Sequence, residues 1–399
     1  MNIEESKNLL KYIIINNRNL EKQGKKTTAV ELQGQSGIGK TSAVIQVANE
    51  LGMQFIKLNL SQIEELGDLV GYPIKEYYVC APTGECLWVP SDSLEQYREL
   101  GYTLHNNMHR MGYALPQWVP TEECNNGLIL LLDDYNRANP RIMQACMELI
   151  DRGTYISWSI PKNCTIVLSS NPDDGQYQVS YEDNAMKTRR IKLDVEFDIK
   201  PWAKWAESEN IDERLINFAL LYPEIFNLVN NVQTVNARSY VTFANCISGI
   251  EDFNTPESLG LIMSIASGCF QEKNNNIGTM FATFIANKLD RLISAESLLF
   301  DKWETVQSQL KNCVYDGDVY RADIANILTT RLINRIFIYF DKEKGKATKV
   351  ISRLEEIINN DKVLLSEDLI FYCCKTLIGQ YPKLTTKLVA NPTIRQKLL

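Results

Sequence analysis

Histidine is almost absent from this 399-residue chain, which has only His105 and His109. Two histidines exclude a multi-histidine metal centre and leave little material for a histidine-based triad. Long apolar runs are missing too: none approaches the roughly 18–20 residues that a bilayer-crossing helix needs. The opening Met1–Lys7 carries two glutamates and a serine, too acidic and polar for a secretory signal. Nor is there a basic excess, because 42 Lys and Arg face 49 Asp and Glu, a formal charge of −7. That balance argues against an overall nucleic-acid-binding surface, though it leaves room for a local basic path. No two of the ten cysteines have C-x-x-C spacing. They read as reduced, mostly buried thiols of a cytoplasmic protein. Cys80 and Cys86, with His105 and His109 spaced to share a helix face, raise zinc as an alternative. The gap between the cysteines is wide for a structural zinc site, so surface histidines and small thiols are the plainer reading.

What is present is core material, with 45% apolar residues, arranged in two styles. Up to about residue 200 short apolar runs alternate with helical spacing. Residues 5–21 predict a leading helix, Thr28–Leu32 a strand, Ser42–Leu51 a helix and Phe55–Leu60 a second strand. Residues 62–126 read as irregular. Gly127–Asp134 is a nearly continuous apolar run ending in two acids, the pattern of a strand buried on both faces of a parallel sheet. Pro140–Arg152 predicts a helix closed by Gly153. Tyr155–Ile160 alternates like a strand, Thr165–Leu168 reads as another buried strand, and Ile191–Phe197 as a last one. Beyond residue 200 the spacing is helical throughout, with segments near 211–230, 238–249, 257–270, 278–299, 321–340 and 346–359. The predicted fold is an α/β core, a parallel sheet flanked by helices, over 1–200, followed by helical segments over 201–250 and 251–399.

Gly34-Gln35-Ser36-Gly37-Ile38-Gly39-Lys40-Thr41 fits G-x-x-x-x-G-K-[ST], with a predicted strand before it and a helix after. In such a loop glycines let backbone N–H groups curl around a β-phosphate, and the following helix adds the positive end of its dipole. Lys40 would reach the β- and γ-phosphates, and the Thr41 hydroxyl would ligate Mg²⁺. Asp133, closing the buried run, suits the carboxylate that holds the same Mg²⁺. Asp134 would orient or deprotonate the attacking water, one methylene shorter than the glutamate more usual there.

Leu132-Asp133-Asp134-Tyr135-Asn136-Arg137-Ala138 resembles the L-D-E-hydrophobic-N-R-A stretch of MoxR-type and dynein-related AAA+ ATPases. Ser170-Asn171-Pro172 is similar to their sensor 1, which implies a phosphate-sensing role for Asn171. Asn184–Arg190 resembles their A-x-x-x-R-F segment, whose arginine enters a neighbouring subunit's site. Arg189 takes that place, but Arg190 stands where phenylalanine is usual, so the choice between the two is open. Val235-Asn236-Ala237-Arg238-Ser239 resembles sensor 2 and implies a nucleotide contact for Arg238. Gly67-Asp68-Leu69-Val70-Gly71 resembles a further segment of the group, and the likeness spans roughly residues 28–250. It implies ATP and Mg²⁺ as ligands, a hexameric ring of identical subunits, and a protein partner that could carry a von Willebrand factor A-like domain. The implied function is a chaperone-like motor that remodels or activates that partner. A nucleic-acid motor or loader, or a nucleotide-gated scaffold with slow turnover, are the alternatives.

The aromatics Tyr77, Tyr78, Trp88, Tyr97, Tyr102, Tyr113 and Trp118 in 62–126 read as a small satellite core more readily than as a partner surface. Trp158 likewise reads as packed. Leu328, Leu332, Ile336 and Phe340 recur every fourth position and predict a core-facing helix. Arg331, Arg335, Lys342, Lys344 and Lys346 read as a solvated face beside it.

Overall fold

The apolar run expected at 128–133 lies in the middle of a parallel sheet in the computed structural model, which describes all residues except 122–123, 176, 183, 228–234, 272–275, 361 and 399. The chain folds as two units, Met1–Phe197 and Asp198–Leu399.

The first unit contains, in order, α1 (Ile3–Lys22), β1 (Ala29–Gln33), α2 (Lys40–Glu50), β2 (Gln54–Asn59), α3 (Leu66–Val70), β3 (Pro73–Cys80), β4 (Cys86–Pro90), α4 (Leu94–Glu99), β5 (Thr103–Tyr113), β6 (Leu128–Asp133), α5 (Pro140–Arg152), β7 (Thr154–Tyr155), β8 (Trp158–Ser159), β9 (Cys164–Ser170), α6 (Asn184–Lys187) and β10 (Arg190–Asp194). The main sheet runs β10–β1–β9–β6–β2, all parallel. Every residue of β6 and β9 is buried, because helices cover both faces. The two-residue period of a strand sorts β6 between those faces. Leu128, Leu130 and Leu132 pack with Ile142, Met143 and Leu149 of α5. Ile129 and Leu131 pack with Leu10, Ile13 and Ile14 of α1 and Val44 and Val47 of α2. Asn2 caps α1 reciprocally with Glu5, which satisfies two otherwise orphan N–H groups. Parallel register brings the C-terminal ends of β1, β2, β6 and β9 to one edge, with Gln33 opposite Ser170 and Asn59 opposite Asp133. Ligands of open α/β sheets bind at that edge.

In this unit the structure corrects several expectations. The stretch 62–126 is not irregular: β4, β3 and β5 form an antiparallel sheet. His105 and His109 lie exposed on β5 rather than on a helix face. Cys80 and Cys86 face each other across β3 and β4 and are joined by a disulfide, so these two are not thiols. The strand expected over Tyr155–Ile160 is a two-residue ladder, β7 against β8. The aromatics do pack together: Tyr78 lies 4.8 Å from Trp88, Tyr113 5.6 Å from Tyr155, and Trp118 5.7 Å from Trp158, centroid to centroid. Both indole N–H groups donate to α3 carbonyls, Trp118 to Leu69 and Trp158 to Val70, each at 2.9 Å. The unpaired carbonyls that end a short helix thereby find donors.

The second unit is helical: α7 (Ile199–Ser208), α8 (Glu213–Leu221), α9 (Ala237–Ile247), α10 (Pro256–Phe270), α11 (Asn276–Ala286), α12 (Ala295–Phe300), α13 (Trp303–Val314), α14 (Ala322–Asp341), α15 (Ala347–Ile358), α16 (Glu367–Gln380), α17 (Thr385–Ala390) and α18 (Pro392–Leu398). The last residues of the helix expected near 211–230 fall outside the described residues. Phe218, Tyr240, Phe243, Phe270, Phe281 and Phe284 interlock as one aromatic core. Leu328, Leu332 and Ile336 are buried as their spacing predicted, while Phe340 is half-buried. Arg331, expected in solvent, is instead fully buried, because α14 is enclosed around most of its circumference.

Candidate nucleotide site

At the C-terminal end of β1 the backbone must turn sharply toward α2. Gly39 sits at φ +99° immediately before the helix, a conformation that favours glycine. A Cβ on Gly34 would come within 2.3 Å of the Val195 carbonyl oxygen, so the loop can approach the chain there only as glycine. No side chain caps the N-terminus of α2. The positive end of its dipole therefore faces the loop.

Lys40 folds back over this loop. Its Nζ donates to Gly34 O at 2.6 Å, Gln35 O at 2.9 Å and Asn171 Oδ1 at 3.4 Å. The Thr41 hydroxyl lies 3.4 and 3.3 Å from the two carboxylate oxygens of Asp133. Asp133 also accepts from the Ser169 hydroxyl and pairs with Lys57 Nζ at 2.8 Å. Burial works against its charge, but the hydrogen bonds from Lys57 and Ser169 outweigh it and hold its carboxyl below the usual range.

Asp134 takes left-handed backbone angles, φ 51° and ψ 38°, which turn its side chain away from the strand direction. Asn171 Nδ2 donates to its Oδ1 at 3.4 Å, and Arg137 stands 3.6 Å from Oδ2. Asn171 is fixed by reciprocal bonds with Asn136: Asn171 N donates to Asn136 Oδ1 at 3.1 Å, and Asn136 Nδ2 to Asn171 O at 2.8 Å. The loop after β9 also closes on the phosphate loop. Tyr177 donates to Gln35 Oε1 at 2.6 Å and accepts from Ser36 N at 3.1 Å, while Gln35 Nε2 donates to Asp174 at 3.0 Å. Gly34–Thr41, Asp133, Asp134 and Asn171 thus gather in one place.

Arg189 and Arg238 do not join them within the first unit. Arg189 directly precedes β10, whose Arg190 pairs with Ala29 and whose Asp194 pairs with Gln33, next to the loop. Five chain steps of about 3.3 Å separate Arg189 from Asp194 and put it roughly 16 Å down the sheet, at the opposite edge. The two adjacent arginines have different fates. The Arg190 side chain is 1% exposed and bound to Glu31 at 2.7 Å and Glu182 at 2.6 Å. Arg189 keeps 30% of its side chain exposed, bonds its own Ala185 carbonyl, and lies 3.8 Å from Asp151. Arg238 is exposed on the first turn of α9 in the second unit, behind the reciprocal cap of Asn236 and Ser239.

The sequence reading missed Lys57, Ser169, Asn136 and Tyr177. Asn136 and Ser169 carried a usable signal, since each lies in or beside a stretch already singled out. Lys57 and Tyr177 carried none. The first acts through a neighbouring strand, and the partners of the second lie 141 and 142 residues away. Among the described residues no group of three or more His, Cys, Asp or Glu is placed to hold a metal ion, and no helix is long and apolar enough to cross a membrane.

Among solved structures, the chain is similar to the Thermotoga maritima RuvB Holliday junction branch migration motor (14% identity, TM-score 0.30, 73% of this chain and 83% of that one). It is similar to a putative ATPase from Cytophaga hutchinsonii (16% identity, TM-score 0.30, 85% and 75%). It is also similar to Hsp104 bound to ATPγS and casein (16% identity, TM-score 0.30, 69% and 45%). No curated protein sequence matches the chain. Residues 30–81, from within β1 to just past the end of β3, match the family described as ATPase family associated with various cellular activities.

Proposed function

We propose that the chain is an AAA+ ATPase that hydrolyses ATP at interfaces between its own copies, using the turnover to remodel or activate a protein partner in the manner of MoxR-type motors. The observation that carries this is the split of the machinery over the two edges of one sheet. Lys40, Thr41, Asp133, Asp134 and Asn171 meet at one edge, while Arg189 stands at the other. An arginine that far from its own phosphate loop can serve a phosphoryl group only on another copy. Such head-to-tail contacts close into a ring when the rotation permits.

In this reading the loop N–H groups and Lys40 bind the phosphates, and Asn171 holds Lys40 and Asp134 in one hydrogen-bonded line. Asp134 orients the attacking water and takes its proton. Arg189 stabilises charge on the γ-phosphoryl oxygens of the neighbour. Arg190, tied to Glu31 and Glu182, is the anchor that presents Arg189. Thr41 and Asp133 offer hard oxygen donors within 3.4 Å of each other, a set that suits Mg²⁺. Mg²⁺, when bound, would supply charge neutralisation at the β- and γ-phosphate oxygens. Arg238 would contact nucleotide from a lid over 201–250, and residues 251–399 would form a further helical domain. A partner with a von Willebrand factor A-like domain fits the same reading, as does a location in the cytoplasm.

Purified protein is expected to hydrolyse ATP, and Lys40→Ala to abolish nucleotide binding. Asp134→Asn should bind ATP but turn it over at least about a hundredfold more slowly. Wild-type turnover in Lys40→Ala would overturn the site assignment. Stimulation of turnover by DNA would favour a nucleic-acid motor over a protein remodeller.

A further inference from the structure

Strand β2 carries to this site a residue that belongs to none of the phosphate-loop motifs. Asn59 pairs in register with Asp133 across β2 and β6, and the two-residue period of a strand puts Lys57 on the same face as Asn59. From there Lys57 Nζ reaches Asp133 Oδ2 at 2.8 Å. The other contacts of the carboxylate also come from this chain: the Ser169 hydroxyl on Oδ1, and the Thr41 hydroxyl near both oxygens. Asp133 is only 8% exposed, and a carboxylate so enclosed is costly without a counter-cation. Lys57 supplies that cation from within the chain. Its own side chain keeps 41% exposure on the edge strand of the sheet. A long, flexible, half-solvated ammonium can swing away at small cost.

We propose that Lys57 is the resident counter-cation of Asp133 and competes with Mg²⁺ for it, so that this lysine sets how strongly Mg²⁺ and nucleotide binding are coupled. The inference rests on reading the site as one for Mg²⁺ and ATP. A divalent ion that draws on Thr41 and Asp133 meets the ammonium already there, and the two cations repel. Without Lys57, Asp133 repels a metal-free triphosphate and attracts Mg²⁺ more strongly. Both changes move the coupling in one direction, upward.

The test is the Kd of a fluorescent, slowly hydrolysed ATP analogue on the full chain, measured once with excess Mg²⁺ and once with a chelator. The ratio of the two constants is the coupling. In Lys57→Met and Lys57→Gln it should rise about tenfold over wild type, and in Lys57→Arg it should stay near wild type. An unchanged or lower ratio in both neutral variants, with their near-UV circular dichroism intact, overturns the role of Lys57 and leaves the nucleotide site standing. If the wild type binds the analogue in neither buffer, the nucleotide reading falls and this inference with it.

Discussion

Each unit of the chain buries one arginine between two glutamates, and the two arginines teach different things. In the first unit Arg190 is held by Glu31 and Glu182 and lies 5.0 Å over the ring of Tyr135. In the second, Arg331 is 0% exposed and held by Glu207 and Glu213, each at 2.7 Å, with Asn217 at 3.1 Å. Arg190 sits beside a partly exposed twin, so in the proposed reading its anchoring serves a site. Arg331 has only a further tied arginine, Arg335, which pairs with Glu296 and Glu343. Its network joins α7, α8 and α14 and does nothing visible but hold helices together. Burial of a charge is therefore no sign of chemistry; what matters is what the buried charge positions.

The comparison breaks most sharply at Arg189. Arg189→Ala should lower kcat by about a thousandfold or more, the range for an arginine finger, while shifting stability by no more than about 0.5 kcal/mol. Steady-state ATPase assays and urea unfolding of the same preparation check both halves. Mixing Arg189→Ala with Asp134→Asn protomers should restore part of the activity, because one mixed interface then holds an intact water-orienting acid and an intact finger. If the mixture stays inactive, the arginine does not act across an interface. Arg190→Ala should instead cost stability, about 3 kcal/mol, by leaving Glu31 buried without its partner, and should lower kcat less than Arg189→Ala does, because it only loosens the anchor of the finger.

Arg331→Ala comes next in size. It strands Glu207 and Asn217 inside the second unit and should cost about 3–5 kcal/mol. Hydrogen exchange of peptides from α7, α8 and α14, followed across a urea series, reports on that unit separately from the first. Nucleotide binding measured below the transition should stay at the wild-type level. A loss of affinity there would mean that Arg331 belongs to the site after all, and the contrast with Arg190 would be gone.

What could be read from the residues alone follows the reach of each interaction. The phosphate loop was legible because its strand, turn and helix lie within about twenty residues and each carries its own local signal. Strands β6 and β9 were legible because burial on both faces leaves an unbroken apolar run. The sheet of β3, β4 and β5 was not, since tyrosines, histidines, asparagines and charged residues interleave on strands with much of their surface exposed. Arg331 looked like a surface charge because its glutamates lie 124 and 118 residues earlier in the chain. Lys57 was hidden for a similar reason: its role depends on the register of β2 on β6, which no local pattern reveals. Arg189 and Arg190 are adjacent and chemically alike, and the positions of Glu31 on β1 and of Glu182 separate them.

The smallest effect concerns how the second unit presents Arg238. Asn236 Oδ1 accepts from Ser239 N at 2.9 Å, and Asn236 N donates to Ser239 Oγ at 3.0 Å, so the first turn of α9 is closed from both sides. Arg238 lies within that turn, and the cap is what fixes its backbone. Asn236→Ala should therefore cost about 1 kcal/mol, the usual worth of such a cap, and loosen the one turn that aims the guanidinium. If Arg238 contacts nucleotide, the variant should weaken ATP binding severalfold, and the double variant with Arg238→Ala should bind no worse than Arg238→Ala alone. If the two losses simply add, the cap and the arginine act separately, and Arg238 joins Arg331 as a residue of the helical scaffold rather than Arg189 as a residue of the site.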